Sequence, residues 1–156
     1  MQSNGIKSET QFSVFLVNKP GILARVCQRL ADDHINILAL SMMDSTEHGV
    51  LRMVVEDPAR ARQSLAELDV PTTESQVLVA TLPNRPGSVA DMVQRLSLAH
   101  VNVNYAYCTT GAPGGKSMGV FRVSDLKKAI SVLEERRPRR KLPSTAMRGP
   151  AQSRRR

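Results

Sequence analysis

Tryptophan is missing from this chain of 156 residues, and its other aromatics are two tyrosines and three phenylalanines. With 41% apolar residues there is enough for a packed core, but that core must be aliphatic. Cysteine is almost as scarce. Cys27 falls in an amphipathic helix pattern and Cys108 stands far from it, so a disulfide framework is not expected and a reducing cytoplasm fits. No apolar run approaches the roughly 18 residues of a membrane span. The amino-terminal MQSNGIKSETQ lacks the apolar centre of a secretory signal. A cytoplasmic protein without a membrane partner is the expectation. There is no His/Cys cluster with ligand spacing and no G-x-S-x-G. No metal site, cofactor or catalytic constellation is expected, and therefore no enzyme.

Acids are absent from Arg136 to Arg156, where nine Lys/Arg stand among Pro and small polar residues. The formal charge of +8 comes from this tail, since residues 1–135 carry thirteen basic residues against fourteen acids. The folded body is nearly neutral, and the tail is expected to be disordered.

What the chain does have is a repeat. NKPGILARVCQRLADDHIN (18–36) recurs as NRPGSVADMVQRLSLAHVN (84–102), with nine identities in nineteen positions and no gap. GVLRM (49–53) matches GVFRV (119–123) at an offset of 70, whereas Asp57, Ala61 and Leu65 match Asp125, Ala129 and Leu133 at 68. The GV-x-R match implies four extra residues between the second and third strands of the second copy.

Each copy reads as strand, helix, strand, strand, helix and a weak final strand. QFSVFLV (11–17) is rich in β-branched and aromatic residues. Pro20 suits a first helical turn, and Ile22, Leu23, Val26, Cys27 and Leu30 follow at helical spacing. Strands follow at 36–43 and 49–55, and Asp57-Pro58 caps a second helix. The second copy has strands near 76–82, 102–109 and 118–123 and helices near 86–99 and 125–135. The fourth strands would fall near 69–74 and 138–143. This implies an α+β fold of two ferredoxin-like βαββαβ units side by side, an antiparallel sheet with helices on one face. The units span 10–75 and 76–142, followed by the basic tail 143–156. Both alternating sets of the first strand are apolar, so the helix-free face is expected to pack in part on a second copy of the chain.

TTGAPGGKS (109–117) looks like a phosphate-binding loop but fails the test of context. Thr110 stands where the first glycine belongs, and the next residues read as a strand rather than a helix. It is read as a long hairpin loop.

The motif N-[KR]-P-G, present twice between strand and helix, is the better site candidate. Gly21 and Gly87 would let a ligand approach the backbone. The N–H groups of the helix start suit a carboxylate, and Asn18 and Asn84 offer a donor and an acceptor each. The same motif also serves as plain turn chemistry for entering a helix. His34 and His100 lie at matching helix ends, where a cation opposes the dipole. Arg52 and Arg122 lie in matched strands, where they would face solvent or contact a ligand carboxylate, and are assigned to a solvated face. The sulfur-bearing Met42, Met43 and Met53 read as core or interface filler.

The pattern N-x-P-G-x-[LV]-A…L…H-[IV]-N-[IV], carried by both copies, resembles the ACT domain. The body over about 10–137 is similar to a stand-alone tandem ACT protein without a catalytic domain. The resemblance implies small-ligand binding, most often of an amino acid, at interfaces between ACT units. On this chain it implies Asn18, Pro20, Gly21, Ile22 and Leu23 with Asn36 and Ile37. In the second copy it implies Asn84, Pro86, Gly87, Ser88 and Val89 with Asn102 and Val103. Ser88 in place of Ile22, and Asp91 in place of Arg25, make the two sites inequivalent. A different class of function, nucleic-acid or acidic-partner binding, would act through the basic tail, because the third strands carry one Phe between them for base stacking.

Overall fold

Alternation along the first strand decides which side of the sheet is covered. The computed structural model of the chain describes residues 5–43, 48–109 and 115–135. Strand β1 (Ile6–Val17) turns Phe12, Val14 and Leu16 to one face and Gln11, Ser13 and Phe15 to the other. The first set packs against Val26 and Leu30 of helix α1 (Ile22–Asp32) and Ala61 and Leu65 of helix α2 (Pro58–Glu67). Strands β2 (Ile37–Met43) and β3 (His48–Val55) complete this half.

Strand β4 (Thr72–Pro83) opens the second half, followed by helix α3 (Ser88–Leu98), strand β5 (Val103–Thr109), strand β6 (Lys116–Val123) and helix α4 (Leu126–Glu134). Its core sets Leu78, Ala80 and Phe121 against Met92, Leu96, Ala129 and Leu133. All strands form one antiparallel sheet in the order β2-β3-β1-β4-β6-β5.

Two twelve-residue strands stitch the halves together. Thr72–Ser75 pair with Val14–Gln11 and supply the fourth strand expected near 69–74. The same strand continues through Gln76–Pro83 as the first strand of the second half, so the boundary expected at 75/76 falls inside continuous β structure. In return, Ile6–Thr10 pair with Ala80–Gln76, and Ile6 packs on the second core. The amino-terminal segment, expected to precede the first strand, thus occupies the fourth-strand place of the second half. The strand expected at 138–143 lies outside the described residues.

The sheet is also rolled. Strands β2 and β5 are its two edges, five spacings apart, or about 24 Å in a flat sheet. They nevertheless approach within 8 Å between Cα atoms. The helix-free halves face each other and bury a third core of Ala39, Val54, Val77, Val79 and Val120, flanked by Leu38, Tyr107 and Met118. The apolar face expected to pack on a second copy is therefore covered in large part by the chain itself. Phe15, Val17 and Met43 remain exposed.

Both first helices end alike. The N–H of Ile35 bonds to the carbonyl of Leu30 and that of His34 to Ala31; Val101, Leu96, His100 and Ser97 repeat the pattern. This is a Schellman ending, with a left-handed residue after the cap. That residue is His34 or His100, each at φ 55°. The matching histidines are explained by helix termination. A Cβ in this conformation is unfavourable, so His34→Gly and His100→Gly should each raise stability by about 0.5–1 kcal/mol in urea denaturation. Arg29 and Arg95, also repeated, tie each first helix to its neighbour. Arg29 binds Asp33 at 2.8 Å and also Glu67 of α2, while Arg95 donates to the carbonyl of Glu135, just after α4, at 2.7 Å.

Candidate functional site

The two N-P-G loops take the same shape. Gly21 (φ 87°) and Gly87 (φ 90°) are both left-handed N-caps, and no side chain caps either helix. Only glycine adopts this conformation freely. A Cβ built on either would meet nothing within 4 Å, so the space above both is open. The first intrahelical bonds run from Arg25 to Gly21 and from Asp91 to Gly87. Before these, the N–H groups of Ile22 and Ser88 donate back to the carbonyls of Lys19 and Arg85 at 3.4 and 3.3 Å, and the next N–H groups of each first turn have no helical acceptor.

Asn18, Pro20, Pro86 and Val89 are exposed beside these glycines, and Asn84 donates its N–H to the carbonyl of Gly115 at 2.8 Å. Ile22 and Leu23 differ from their counterparts because they pack on the first core. The Ser88 hydroxyl oxygen is buried with under 1 Å² accessible and has no hydrogen-bond partner among the described residues.

Strand register shows which of the expected residues share an end of the sheet. Val17 lies opposite His48, and Ile37 lies opposite Val55. Asn36 and Ile37 therefore stand at the far end of the first half from Asn18–Leu23. By the same count Val103 pairs with Val123 while Pro83 pairs with Lys116, so Asn102 and Val103 stand at the far end from Asn84–Val89. Because β1 and β4 are antiparallel, the halves exchange ends. The two loops therefore lie at opposite ends of the sheet, and Ile37 and Val103 stand on one row between them, level with Thr10 and Gln76. Asn36 and Asn102 use their carbonyls alike, accepting at 2.9 Å from Glu56 and Ser124.

A family model for the ACT domain pair matches residues 8–139. The chain belongs to the ACT domain pair family. No curated protein matches it. Among solved structures, protein BT0572 from Bacteroides thetaiotaomicron is 33% identical, with 84% of this chain and 89% of that chain covered and a TM-score of 0.76. The ligand-free regulatory subunit of aspartate kinase from Thermus thermophilus is 15% identical over 83% of this chain and 94% of its own, with a TM-score of 0.60. E. coli aspartokinase III, in complex with lysine and aspartate, is 15% identical over 82% of this chain and 31% of its own, with a TM-score of 0.51. These two share the fold with this ACT pair.

Inside the rolled sheet of the ACT pair lies a polar cluster that sequence reading missed. Gln11 is fully buried. Its amide donates to the Tyr105 hydroxyl at 2.7 Å and accepts from the Tyr107 hydroxyl at 3.0 Å. Burial pushes the Tyr107 hydroxyl well above the usual tyrosine range, Tyr105 adds to the rise, and Arg52 opposes it. The Arg52 guanidinium lies 4.3 Å from the centre of the Tyr105 ring. Arg52 and Arg122 are both half-buried, which corrects their assignment to a solvated face.

Nor do the two arginines match each other. Gln11 pairs with Val54, and its repeat partner Val77 stands opposite Arg122; the bounds of β3 and β6 likewise differ by 68 at both ends. The GV-x-R match at offset 70 is two residues out of register, and the second hairpin carries two extra residues rather than four. Position 52 corresponds to Val120, and Arg122 to Val54. The signal that could have revealed the cluster is the breakdown of the repeat, with Gln11 against Val77, Ala39 against Tyr105 and Ser41 against Tyr107.

The remaining expectations concern chemistry at other places. Phe121 of β6 is buried in the second core and offers no stacking surface. Among the described residues no helix is long and apolar enough to cross a membrane, and no group of three or more His, Cys, Asp or Glu could hold a metal ion. The stretch 110–114 and the tail from 136 lie outside the described residues.

Proposed function

We propose that this ACT pair is a non-catalytic regulatory module of the cytoplasm that binds an amino acid at its N-P-G loops and acts as a homodimer. The carrying observation is the pair of left-handed glycines, Gly21 and Gly87, each heading a helix with open space where a side chain would stand. An amino-acid carboxylate suits the N–H groups and positive dipole end of such a helix start. The complex of aspartokinase III with lysine and aspartate supports the reading through its shared fold. The homodimer reading draws on Phe15, Val17, Leu40, Met42 and Met43, large apolar side chains exposed on one half.

The test is a thermal-shift screen against the twenty amino acids at millimolar concentration. A ligand at 100 times its dissociation constant adds about 2.7 kcal/mol to stability. One amino acid should raise the midpoint, and Gly21→Asp or Gly87→Asp should abolish the rise by setting a carboxylate where the ligand's belongs. No shift with any of the twenty would remove the amino-acid reading. Weight would then pass to the basic tail, whose nine Lys/Arg would bind nucleic acid or an acidic partner with steep salt dependence.

A further inference from the structure

We propose that Arg52, Tyr105 and Arg122 form a second binding site, distinct from the N-P-G loops, for a small organic carboxylate. The internal repeat supplies a control. With the register set by strand pairing, the positions equivalent to Arg52, Tyr105, Arg122 and Gln11 are Val120, Ala39, Val54 and Val77. Those four are buried together and form most of the third core. One repeat-related set of positions, drawn from both halves, is therefore closed with small aliphatic side chains. The other set, also drawn from both halves, carries two cations, a phenol ring and an amide instead.

The two cations come from inequivalent positions, and each stands beside Tyr105. Arg122 stands beside Tyr105 in register on β6. Arg52 lies over the same ring from β3 across the roll, 4.3 Å from its centre. Arg52 donates to the Met43 sulfur and Arg122 to the carbonyl of Gln76 at 3.0 Å. Among the described residues neither forms an ion pair with a carboxylate, although Lys7, Arg29 and Arg62 do. A guanidinium has five N–H donors in a planar fork that matches a carboxylate. Half-burying two such charges without an anion is costly, and an anion between them offsets that cost. The walls select the class of anion. The Tyr105 ring and the exposed Met43 side chain suit a ligand with a carbon body, which inorganic phosphate lacks.

The chain carries its own reporter, since Tyr105 and Tyr107 are its only tyrosines and it has no tryptophan. Its intrinsic emission comes entirely from this cluster. The full chain is titrated with sodium succinate at constant ionic strength, with sodium chloride as reference. The expected result is a saturable change in tyrosine emission at millimolar succinate, weakened at least tenfold in Arg52→Gln and in Arg122→Gln. Gly21→Asp and Gly87→Asp should leave it unchanged. Thermal midpoints show whether the arginine variants fold; Arg52→Lys, which keeps the charge without the fork, stands in for Arg52→Gln if that variant does not. The proposal is overturned if emission does not saturate, if both arginine variants respond like the parent chain, or if chloride gives the same change. Loss of the response in a glycine variant would place binding at the loops and overturn it too. Tighter binding of inorganic phosphate than of succinate would overturn the carboxylate assignment.

Discussion

Phe121→Ala lowers the stability of the whole chain by about 3–5 kcal/mol, and it does so through a single transition. Phe121 is one of the largest fully buried side chains, set among Leu78, Met92 and Leu96 in the second core. Removing its ring leaves a cavity that a sheet held from both sides cannot close. The loss cannot stay in one half. Strand β4 gives Thr72–Ser75 to the first half and Gln76–Pro83 to the second, while β1 serves both in the same manner. Freeing the second half strips the first of its fourth strand. Urea denaturation followed by far-ultraviolet circular dichroism and by tyrosine emission should give coincident curves with the midpoint shifted down. Two separated transitions, with the first half surviving, would show that the shared strands do not couple the units.

Gln11→Ala costs about 2–4 kcal/mol, because it leaves the hydroxyls of Tyr105 and Tyr107 without the amide that serves both. The origin of the loss can be checked by a double-mutant cycle. Removing both partners, as in Gln11→Val with Tyr107→Phe, should cost less than the sum of the single changes. The cluster also predicts a pH dependence. The folded chain holds the Tyr107 hydroxyl above its usual range, chiefly through burial. The unfolded chain ionises it near the ordinary value of about 10. This contribution to stability is complete below that value and is lost as pH rises above it. Denaturation between neutral and strongly alkaline pH should show the decline, and Tyr107→Phe should flatten it.

The ACT pair was legible in the sequence because its strongest signals are local. The Asn-x-Pro-Gly turns, the helical spacing after them and the Asp57 and Asp125 caps each depend on a few neighbouring residues. The Asp57 cap forms as read, accepting from Arg60, and its repeat match Asp125 accepts likewise from Lys128. What could not be read depends on pairing across the chain. Residues 6–10, polar at four positions of five, gave no strand signal of their own. They are strand because β4 offers them a partner some seventy residues away. The GV-x-R match misled because an identical tripeptide frame outweighed the helix caps that placed the offset at 68. Of the two kinds of site, the loops could be seen from their glycines. The tyrosine cluster became visible only when the roll of the sheet brought β5 over β1 and β3.

The strand shared at the amino terminus also sets an order of events during synthesis. Ile6–Thr10 leave the ribosome well before their partners Gln76–Ala80, which follow about seventy residues later. At roughly 5–20 residues per second the wait lasts about 4–14 s. Throughout it, an edge-forming segment is free to pair with whatever it meets. Its composition suits that interval, because Lys7, Ser8, Glu9 and Thr10 follow a single apolar side chain, Ile6, and make a poor template for stray strand pairing. The polar start of β1 is thus matched to its history as much as to its final place.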